Sequence, residues 1–185
     1  MSSIRQNLST FNNDWYRPGK NLFVRLLWMF TSRIWVNSWF PLSNIKVIIL
    51  RMFGARIGKG VVIKPYVNIK YPWRLIVGNN VWIGERVWID NLGDVIIESD
   101  VCISQGALLL CGNHNYKKST FDLIVGNIEL KEGSWVGARA IITGGSILNT
   151  HSIISAGSVF SGTADEFTIY KGNPSLPIRK RVIEN

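Results

Sequence analysis

The strongest constraint on the fold is a six-residue repeat of aliphatic side chains in the second half of the chain. A period of six fits neither a lone helix nor a simple alternating strand. Small residues stand four positions after the aliphatic ones. The aliphatic series is Leu130, Val136, Ile142, Leu148, Ile154 and Phe160, and the small series is Ser134, Ala140, Ser146, Ser152 and Ser158.

The same spacing occurs earlier, in three blocks that begin at Ile57, Val77 and Ile97, 20 residues apart. Three six-residue units and two extra residues make one triangular coil, with aliphatic side chains inside and parallel strands stacked between coils. The pattern therefore predicts an all-β parallel β-helix of about five coils over residues 57–165. Four residues near the corners are expected to adopt positive φ angles. They are Gly58, Gly78, Asn79 and Gly84.

The repeat is interrupted once, over residues 110–129. This excursion begins with the polar stretch CGNHNY and contains His114, one of only two histidines in the chain. Loops that leave a rigid scaffold commonly carry functional residues. The excursion is therefore the first candidate for a functional site.

Residues 1–56 form a basic, aromatic segment of different character. Residues 1–60 contain nine Lys and Arg against one acid, which accounts for eight of the nine net positive charges. A helix over about 21–36 would carry an apolar face. This face either packs on the end of the β-helix or lies on a membrane surface, and the tryptophans of the segment are suited to the bilayer interface. That face consists of Phe23, Leu26, Leu27, Phe30 and Ile34.

Several features limit the compartment and the partners. The longest uncharged stretch here, residues 34–45, has 12 residues, whereas a membrane span needs about 20, and no signal-peptide pattern is present. The two cysteines lack metal-site spacing and fit a reducing compartment, and no nucleic-acid-binding motif is visible. We expect a cytoplasmic protein, with any inner-membrane contact peripheral and made through residues 21–53, and a C-terminal tail over residues 166–185.

Five stretches resemble a known family. They are LRMFGARIGKG, YPWRLIVG, VWIDNLGDVII, DVCISQGALLLCGNHNY and KGNPSLPIRKR, and they resemble the colanic acid biosynthesis acetyltransferase group, which is related to the galactoside and maltose O-acetyltransferases. The resemblance implies a left-handed β-helix and a homotrimer with each active site between two subunits. It also implies transfer of acetyl from acetyl-CoA to a sugar hydroxyl of an exopolysaccharide or surface polysaccharide precursor, without a metal.

The resemblance also assigns roles to individual residues. His114 matches the general base, for which a neutral imidazole is well suited. Asn91, with Asp90 beside it, matches a position near the acceptor sugar. The residues that match the coenzyme A-binding positions are Trp135, Gly137, Ala138, Ala156, Gly157 and Ser161. Of the three consecutive bases near the end of the chain, Arg179, Lys180 and Arg181, we expect Arg179 to meet the phosphates of coenzyme A.

The sequence departs from the family pattern at several of these places. Asn115 follows the histidine where the family usually has Asp, Leu176 stands where a base is common, and a Lys-Asp pair after Ser161 is missing. Two alternatives therefore stay open. One is a non-catalytic trimeric scaffold in polysaccharide assembly, and the other is an N-acetyltransferase acting on an amino-sugar nucleotide.

Overall fold

The computed structural model describes residues 4–184, in which a short helical region precedes a parallel β-solenoid of five complete coils and a partial sixth. Each coil has three strands of two or three residues. In coil order these are β1 (Arg56–Ile57), β2 (Val62–Ile63) and β3 (Asn68–Ile69); β4 (Leu75–Val77), β5 (Trp82–Ile83) and β6 (Trp88–Asp90); β7 (Val95–Ile97), β8 (Cys102–Ile103) and β9 (Leu108–Leu110), followed by the excursion hairpin β10 (Gly112–His114) and β11 (Leu123–Val125); β12 (Ile128–Leu130), β13 (Trp135–Val136) and β14 (Ile141–Thr143); and β15 (Ile147–Leu148), β16 (Ile153–Ile154) and β17 (Val159–Phe160).

Stacking of the coils produces three parallel sheets. Sheet A has the order β1-β4-β7-β12-β15-β18 and sheet C the order β3-β6-β9-β14-β17, where β18 is Thr163–Ala164. Sheet B has the order β2-β5-β8-β13-β16-β19-β20, where β19 is Thr168–Gly172 and β20 is Ser175–Lys180. The turns between consecutive sheets are called below the A–B, B–C and C–A corners.

The predicted core is confirmed. Every member of the aliphatic series from Leu130 to Phe160 is at most 2% exposed, and every member of the small series is at most 1% exposed. In the earlier blocks only Ile57, on the first strand, is half-buried rather than buried. Inward-pointing aliphatic residues from consecutive coils therefore form one continuous core along the axis.

The expectation for the corner glycines was wrong, and the reason is steric. Gly58, Gly78 and Gly84 do not have positive φ angles, nor does Asn79. A Cβ at Gly78 would lie 2.6 Å from the Ser99 amide nitrogen, so glycine is needed for close approach between coils. Positive φ angles occur one or two residues later, at Gly60, Asn80, Asp100, Gly133, His151 and Phe167 on the A–B corner and at Tyr66, Arg86, Gly106, Arg139 and Gly157 on the B–C corner.

The last two strands, β19 and β20, extend sheet B at the end of the solenoid. Strand β19 pairs in parallel with β16, and β20 then folds back antiparallel on β19. Two basic side chains in this region donate hydrogen bonds to oxygen atoms of the protein. The Lys180 ammonium donates to Thr168 Oγ1 at 2.9 Å, and the Arg181 guanidinium donates to the Gly133 carbonyl at 2.9 Å.

The helical region begins with α1 (Leu22–Thr31), where the Asn21 side chain accepts a hydrogen bond from the Val24 amide at 3.0 Å and caps the first turn. A π-helical turn, Ser32–Val36, extends α1. After a break around Pro41, α2 (Ser43–Met52) covers the open end of the first coil. Three polar side chains of α2 bond backbone carbonyls of that coil, and they belong to Ser43, Lys46 and Arg51.

The predicted apolar face of α1 is mostly exposed and is not buried against the solenoid. Its five members, Phe23, Leu26, Leu27, Phe30 and Ile34, are 43–73% exposed. Trp28 instead reaches the core, where it is 3% exposed and its indole nitrogen donates to the Ile69 carbonyl at 3.0 Å. The interpretation that this face closes the end of the core is therefore wrong for the single chain. Within residues 4–184, no helix is both long enough and apolar enough to span a bilayer.

Candidate active site

The His114 side chain is held in one orientation by the excursion hairpin. Its Nδ1 lies 2.9 Å from the carbonyl oxygen of Phe121. A carbonyl can only accept, so Nδ1 carries the proton and Nε2 carries the lone pair. The Phe121 ring also stacks on the imidazole, with a centroid separation of 4.3 Å and an interplanar angle of 6°. The imidazole is thus prepared to act as a base through Nε2.

The residue after the histidine does not contact the imidazole. The Asn115 side chain accepts a hydrogen bond from the Lys117 amide at 3.1 Å, and its backbone amide donates to the Asp122 carbonyl at 2.8 Å. Asn115 therefore shapes the excursion turn. The group that orients His114 is a backbone carbonyl, whose identity no side-chain pattern in the sequence can reveal.

Residues near the N-terminus pack over the same corner. The Asn7 amide donates to the Ser119 carbonyl at 2.9 Å, and the Phe11 ring lies 5.7 Å from the His114 ring, centroid to centroid. The Tyr16 hydroxyl donates to the Leu92 carbonyl at 2.8 Å. Burial raises the pKa of Tyr16 to about 12, which keeps this donor protonated. Sequence reasoning did not connect this segment with the excursion.

Asp90 and Asn91 lie at the C–A corner, one coil before the residues that lead into the His114 strand. Asp90 is opposite Leu110 in sheet C and forms an ion pair with Lys70 at 2.8 Å. Asn91 is fully buried, and its side-chain amide exchanges two hydrogen bonds with the backbone of Tyr71, at 2.9 and 2.7 Å. The structure thus brings both residues to the corner that carries His114, with their polar groups already engaged by the preceding coil.

Five of the residues assigned to coenzyme A lie together at the B–C corner of the fourth and fifth coils. Trp135 is exposed and donates through its indole nitrogen to Ser104 Oγ at 2.8 Å. A Cβ on Gly137 would lie 2.5 Å from the Ala156 amide nitrogen, so the two coils touch here through backbone alone. The five residues are Trp135, Gly137, Ala138, Ala156 and Gly157.

This corner presents backbone donors that have no partner. Each coil turns here through four residues whose third member has a positive φ angle, 56° at Arg139 and 69° at Gly157. In both turns the fourth amide bonds back to the first carbonyl, as in a type II turn. The amides of the second residues, Ala138 and Ala156, make no hydrogen bond within residues 4–184. They are available to acceptor oxygens of a ligand.

The same corner continues as a groove along the first three coils. Its volume is about 630 Å³, and Trp82 and Lys64 stand at its side, with the ammonium 5.7 Å from the indole centroid.

The other two residues assigned to coenzyme A lie elsewhere. Ser161 follows β17 and sits at the C–A corner, so within one chain it is separated from Ala156 by sheet C. Arg179 is exposed on β20, next to β19 of sheet B. Unlike Lys180 and Arg181, its side chain makes no hydrogen bond or ion pair to residues 4–184. It is the one base of the three that is free to meet a phosphate.

The corner that carries the Ala138 and Ala156 amides is called below the donor corner, and within one chain it and His114 are on opposite sides of sheet C. His114 belongs to the C–A corner, whereas Ala138 and Ala156 belong to the B–C corner, at the opposite ends of the sheet C strands. The other histidine, His151, is at the A–B corner, where its ring packs on Phe167 with a centroid distance of 4.8 Å. No cluster of three or more His, Cys, Asp and Glu side chains that could hold a metal ion occurs within the described residues.

No protein-family model matches the chain. It is 32% identical over 178 residues to the proteins named as colanic acid biosynthesis acetyltransferase WcaF in Escherichia coli (strain K12) and in Shigella flexneri, covering 96% of this chain and 98% of each relative.

The solved structures that share the fold include three complexes. The hexapeptide-repeat acetyltransferase VCA0836 of Vibrio cholerae, complexed with acetyl coenzyme A, gives a TM-score of 0.77 at 16% identity, covering 87% of this chain and 88% of that one. A galactoside acetyltransferase in complex with coenzyme A gives 0.76 at 20% identity, covering 85% and 80%. A mutant of the Bacillus cereus N-acyltransferase AntD, in complex with dTDP-4-amino-4,6-dideoxyglucose and coenzyme A, gives 0.61 at 20% identity, covering 74% and 89%.

The structural likenesses establish the fold, and the identity to the WcaF proteins extends over nearly the whole of both chains. The protein therefore belongs to the colanic acid biosynthesis acetyltransferase family, whose members are enzymes built on a left-handed hexapeptide-repeat β-helix.

Proposed function

We propose that the protein transfers acetyl from acetyl-CoA to a hydroxyl of a sugar in a bacterial exopolysaccharide or surface polysaccharide precursor. The observation that carries the proposal is the imidazole of His114, whose Nδ1 is fixed by the Phe121 carbonyl and whose Nε2 is left as a base. The relatives' name supports the polysaccharide pathway, and the two acetyltransferase complexes support the donor.

The reaction is a direct transfer. His114 Nε2 takes the proton of the acceptor hydroxyl while the hydroxyl oxygen attacks the thioester carbonyl and the new C–O bond forms. The tetrahedral oxyanion is stabilised by N–H donors such as those at the B–C corner. When it collapses, the C–S bond breaks and the coenzyme A thiolate receives the proton from the imidazolium. No covalent enzyme intermediate is needed.

We further infer that the working unit is a homotrimer. The base and the donor corner lie at opposite ends of sheet C, so one chain cannot apply both to the same thioester. The interfaces of a three-fold ring are heterologous, and we propose one in which the C–A corner of one subunit lies beside the B–C corner of its neighbour. Each of the three sites then takes His114 from one subunit and Ala138 and Ala156 from the other.

Mixed trimers test both parts of this proposal. One variant is His114→Ala, and the other is Ala156→Trp, at an exposed position where the ring would fill the donor corner. Each variant alone is expected to be nearly inactive. After co-refolding in equal amounts, half of the sites receive an intact His114 and half of those an intact corner, so activity should recover to about one quarter of wild type.

The mixture discriminates sharply because a site contained in one chain cannot be rebuilt. If the mixed sample stayed as inactive as its parents, or if sedimentation showed monomers, the inter-subunit site would be refuted.

The panel of acceptors for the transfer assay should contain neutral sugars, nucleotide sugars and amino-sugar nucleotides. Transfer confined to amino acceptors would replace the O-acetyl reaction with N-acetylation.

The unpaired amide of Ala138 provides a second test. Ala138 occupies the second position of a type II turn, where proline is favoured, and Pro65 already occupies the same place in the first coil. Ala138→Pro should keep the fold and remove only the N–H. We expect the dissociation constant for coenzyme A, measured by calorimetry, to rise about tenfold, the size of one lost hydrogen bond.

The matched control is Thr150→Pro, at the second position of the A–B turn of the fifth coil, whose third residue, His151, has a positive φ angle and whose Thr150 amide also makes no hydrogen bond within residues 4–184. It should leave coenzyme A affinity close to wild type, and both variants should melt no lower than wild type. Equal affinities in all three proteins would mean that the Ala138 amide does not contact the donor.

We also propose peripheral contact with the inner membrane through residues 21–53. Support comes from the exposed apolar face of α1 and from the excess positive charge of residues 1–60, which suits an anionic lipid surface.

A further inference from the structure

A cleft between α1 and the first coil lies outside the site described above. Its volume is about 370 Å³, toward the lower end of the roughly 300–1,000 Å³ common for small-molecule sites. One wall is formed by α1 and the π-helical turn, and the other by β3 and the residues that follow it, Lys70 and Tyr71.

Three cationic side chains line this cleft, and no carboxylate does. They belong to Arg25, Arg33 and Lys70. Lys70 is paired with Asp90, but neither guanidinium makes a hydrogen bond or ion pair to any residue in the range 4–184. Arg25 is half-buried. Arg33 is exposed. Both guanidinium groups therefore have free donors, and an anion in the cleft could receive bidentate hydrogen bonds from them.

The rest of the lining indicates what kind of anion fits. Asn37, Asn68 and Tyr71 supply neutral polar groups, and the leucines and methionine of α1 supply an apolar wall. Arginine forks match the oxygens of phosphate, and the apolar wall suits an organic body attached to it.

We propose that this cleft binds the phosphate of an organic phosphate, with Arg25 and Arg33 as its principal ligands and Lys70 beside them. The cleft also adjoins the C–A corner where Asp90 and Asn91 lie, since Lys70 pairs with Asp90 and Tyr71 bonds Asn91. A phosphate held there would position a sugar attached to it near that corner, a consequence that rests on the proposed function. The binding itself does not.

The phosphate could come from a soluble molecule or from a lipid headgroup. Leu26 belongs both to the cleft and to the exposed face of α1, so a lipid phosphate in the cleft would have its chains beside that face. The two sources share the recognition of phosphate and differ in whether the apolar face contributes.

Direct binding by the full chain tests the proposal without requiring acetyl transfer. The probe is inorganic pyrophosphate, measured by calorimetry with wild type, with Arg25→Gln/Arg33→Gln and with Arg56→Gln/Lys59→Gln. The last variant removes two exposed positive charges from the same third of the chain but outside the cleft. We expect the cleft variant to bind at least tenfold more weakly, since it loses the hydrogen bonds of both charged guanidinium groups to the phosphate, and the control to bind as wild type does.

Equal weakening in both double variants would reduce the effect to net charge and overturn the proposal, as would the absence of binding to wild type. Loss of pyrophosphate binding in Arg179→Gln, with the cleft variant unaffected, would also overturn it. Failure here would leave the acetyltransferase proposal untouched, because that is measured by turnover.

Vesicles distinguish the two sources. The arms are phosphatidylcholine alone and phosphatidylcholine with phosphatidic acid, tested by co-sedimentation. A lipid source is supported if the phosphatidic acid vesicles bind wild type but not the Arg25→Gln/Arg33→Gln protein, and if Phe23→Ser/Phe30→Ser weakens vesicle binding while leaving pyrophosphate binding unchanged. A soluble source is supported if pyrophosphate binds as expected and the two vesicle types bind equally.

Discussion

Replacement of His114 by alanine is expected to lower the rate of acetyl transfer by about 10²–10⁴-fold, the usual effect of losing a general base. The loss should appear in kcat with an acceptor present, since the imidazole acts on the acceptor proton. Coenzyme A binding should change little, because the imidazole acts on the acceptor hydroxyl and not on the cofactor. The measurement is acceptor-dependent release of free thiol from acetyl-CoA.

The control for this substitution is the second histidine. His151 lies at the A–B corner and has a φ angle of 58°, which asparagine tolerates better than most residues, so His151→Asn should retain the wild-type rate. Turnover that survived in His114→Ala would show that the base is another group. Absence of both turnover and coenzyme A binding in wild type would favour the scaffold alternative, whereas tight binding without turnover would mean that the acceptor was missing from the panel.

The solenoid could be predicted from sequence because the residues that repeat are the ones that form its core. Residues such as Val136 and Ile142 recur every six positions because each coil needs one inward aliphatic side chain per face. The roles of the corner glycines could not be predicted in the same way. A single sequence shows that Gly78 is small, but the coil that presses on it, at Ser99, is known only after stacking.

The orientation of α1 was not predictable for a related reason. A period of 3.6 identifies an apolar face but does not say what covers it. In the structure the buried contact is made by Trp28, whose indole bonds the Ile69 carbonyl, while Phe23 and Phe30 face outward. The side of α1 that packs on the solenoid is therefore set by one large aromatic residue that also makes a hydrogen bond, and not by the larger set of aliphatic and aromatic residues on the apolar face.

The candidate site was predictable at its centre and not around it. The motif indicates His114, but the Phe121 carbonyl that fixes its tautomer and the Phe11 ring beside it come from backbone geometry and from a segment some 100 residues earlier. The sequence favours Arg179 over Lys180 and Arg181, but the hydrogen bonds that occupy the other two bases appear only in the structure. Contacts of this kind carry no sequence signature.

The free energy of unfolding of the protein should change with pH in the alkaline range because of Lys46. This side chain is 0% exposed, and its ammonium donates to the Lys64 carbonyl at 2.8 Å, with burial lowering the pKa to about 8. Unfolding returns the amine to water, where it binds protons more tightly. Between about pH 8 and the ordinary lysine pKa near 10.5, the unfolded chain therefore holds more protons, and the free energy of unfolding rises with pH.

Lys46→Met removes the titrating group while keeping the length of the side chain. The free energy of unfolding of wild type, measured by urea denaturation at one protein concentration, should gain about 2–3 kcal/mol relative to this variant between pH 7 and pH 10. Other titrating groups cancel in the difference. Lys59→Met, at an exposed lysine outside the helix contact, should follow wild type at every pH. Parallel curves for wild type and Lys46→Met would mean that the buried amine keeps its charge in both states, so the α2 cap would not exclude water from it.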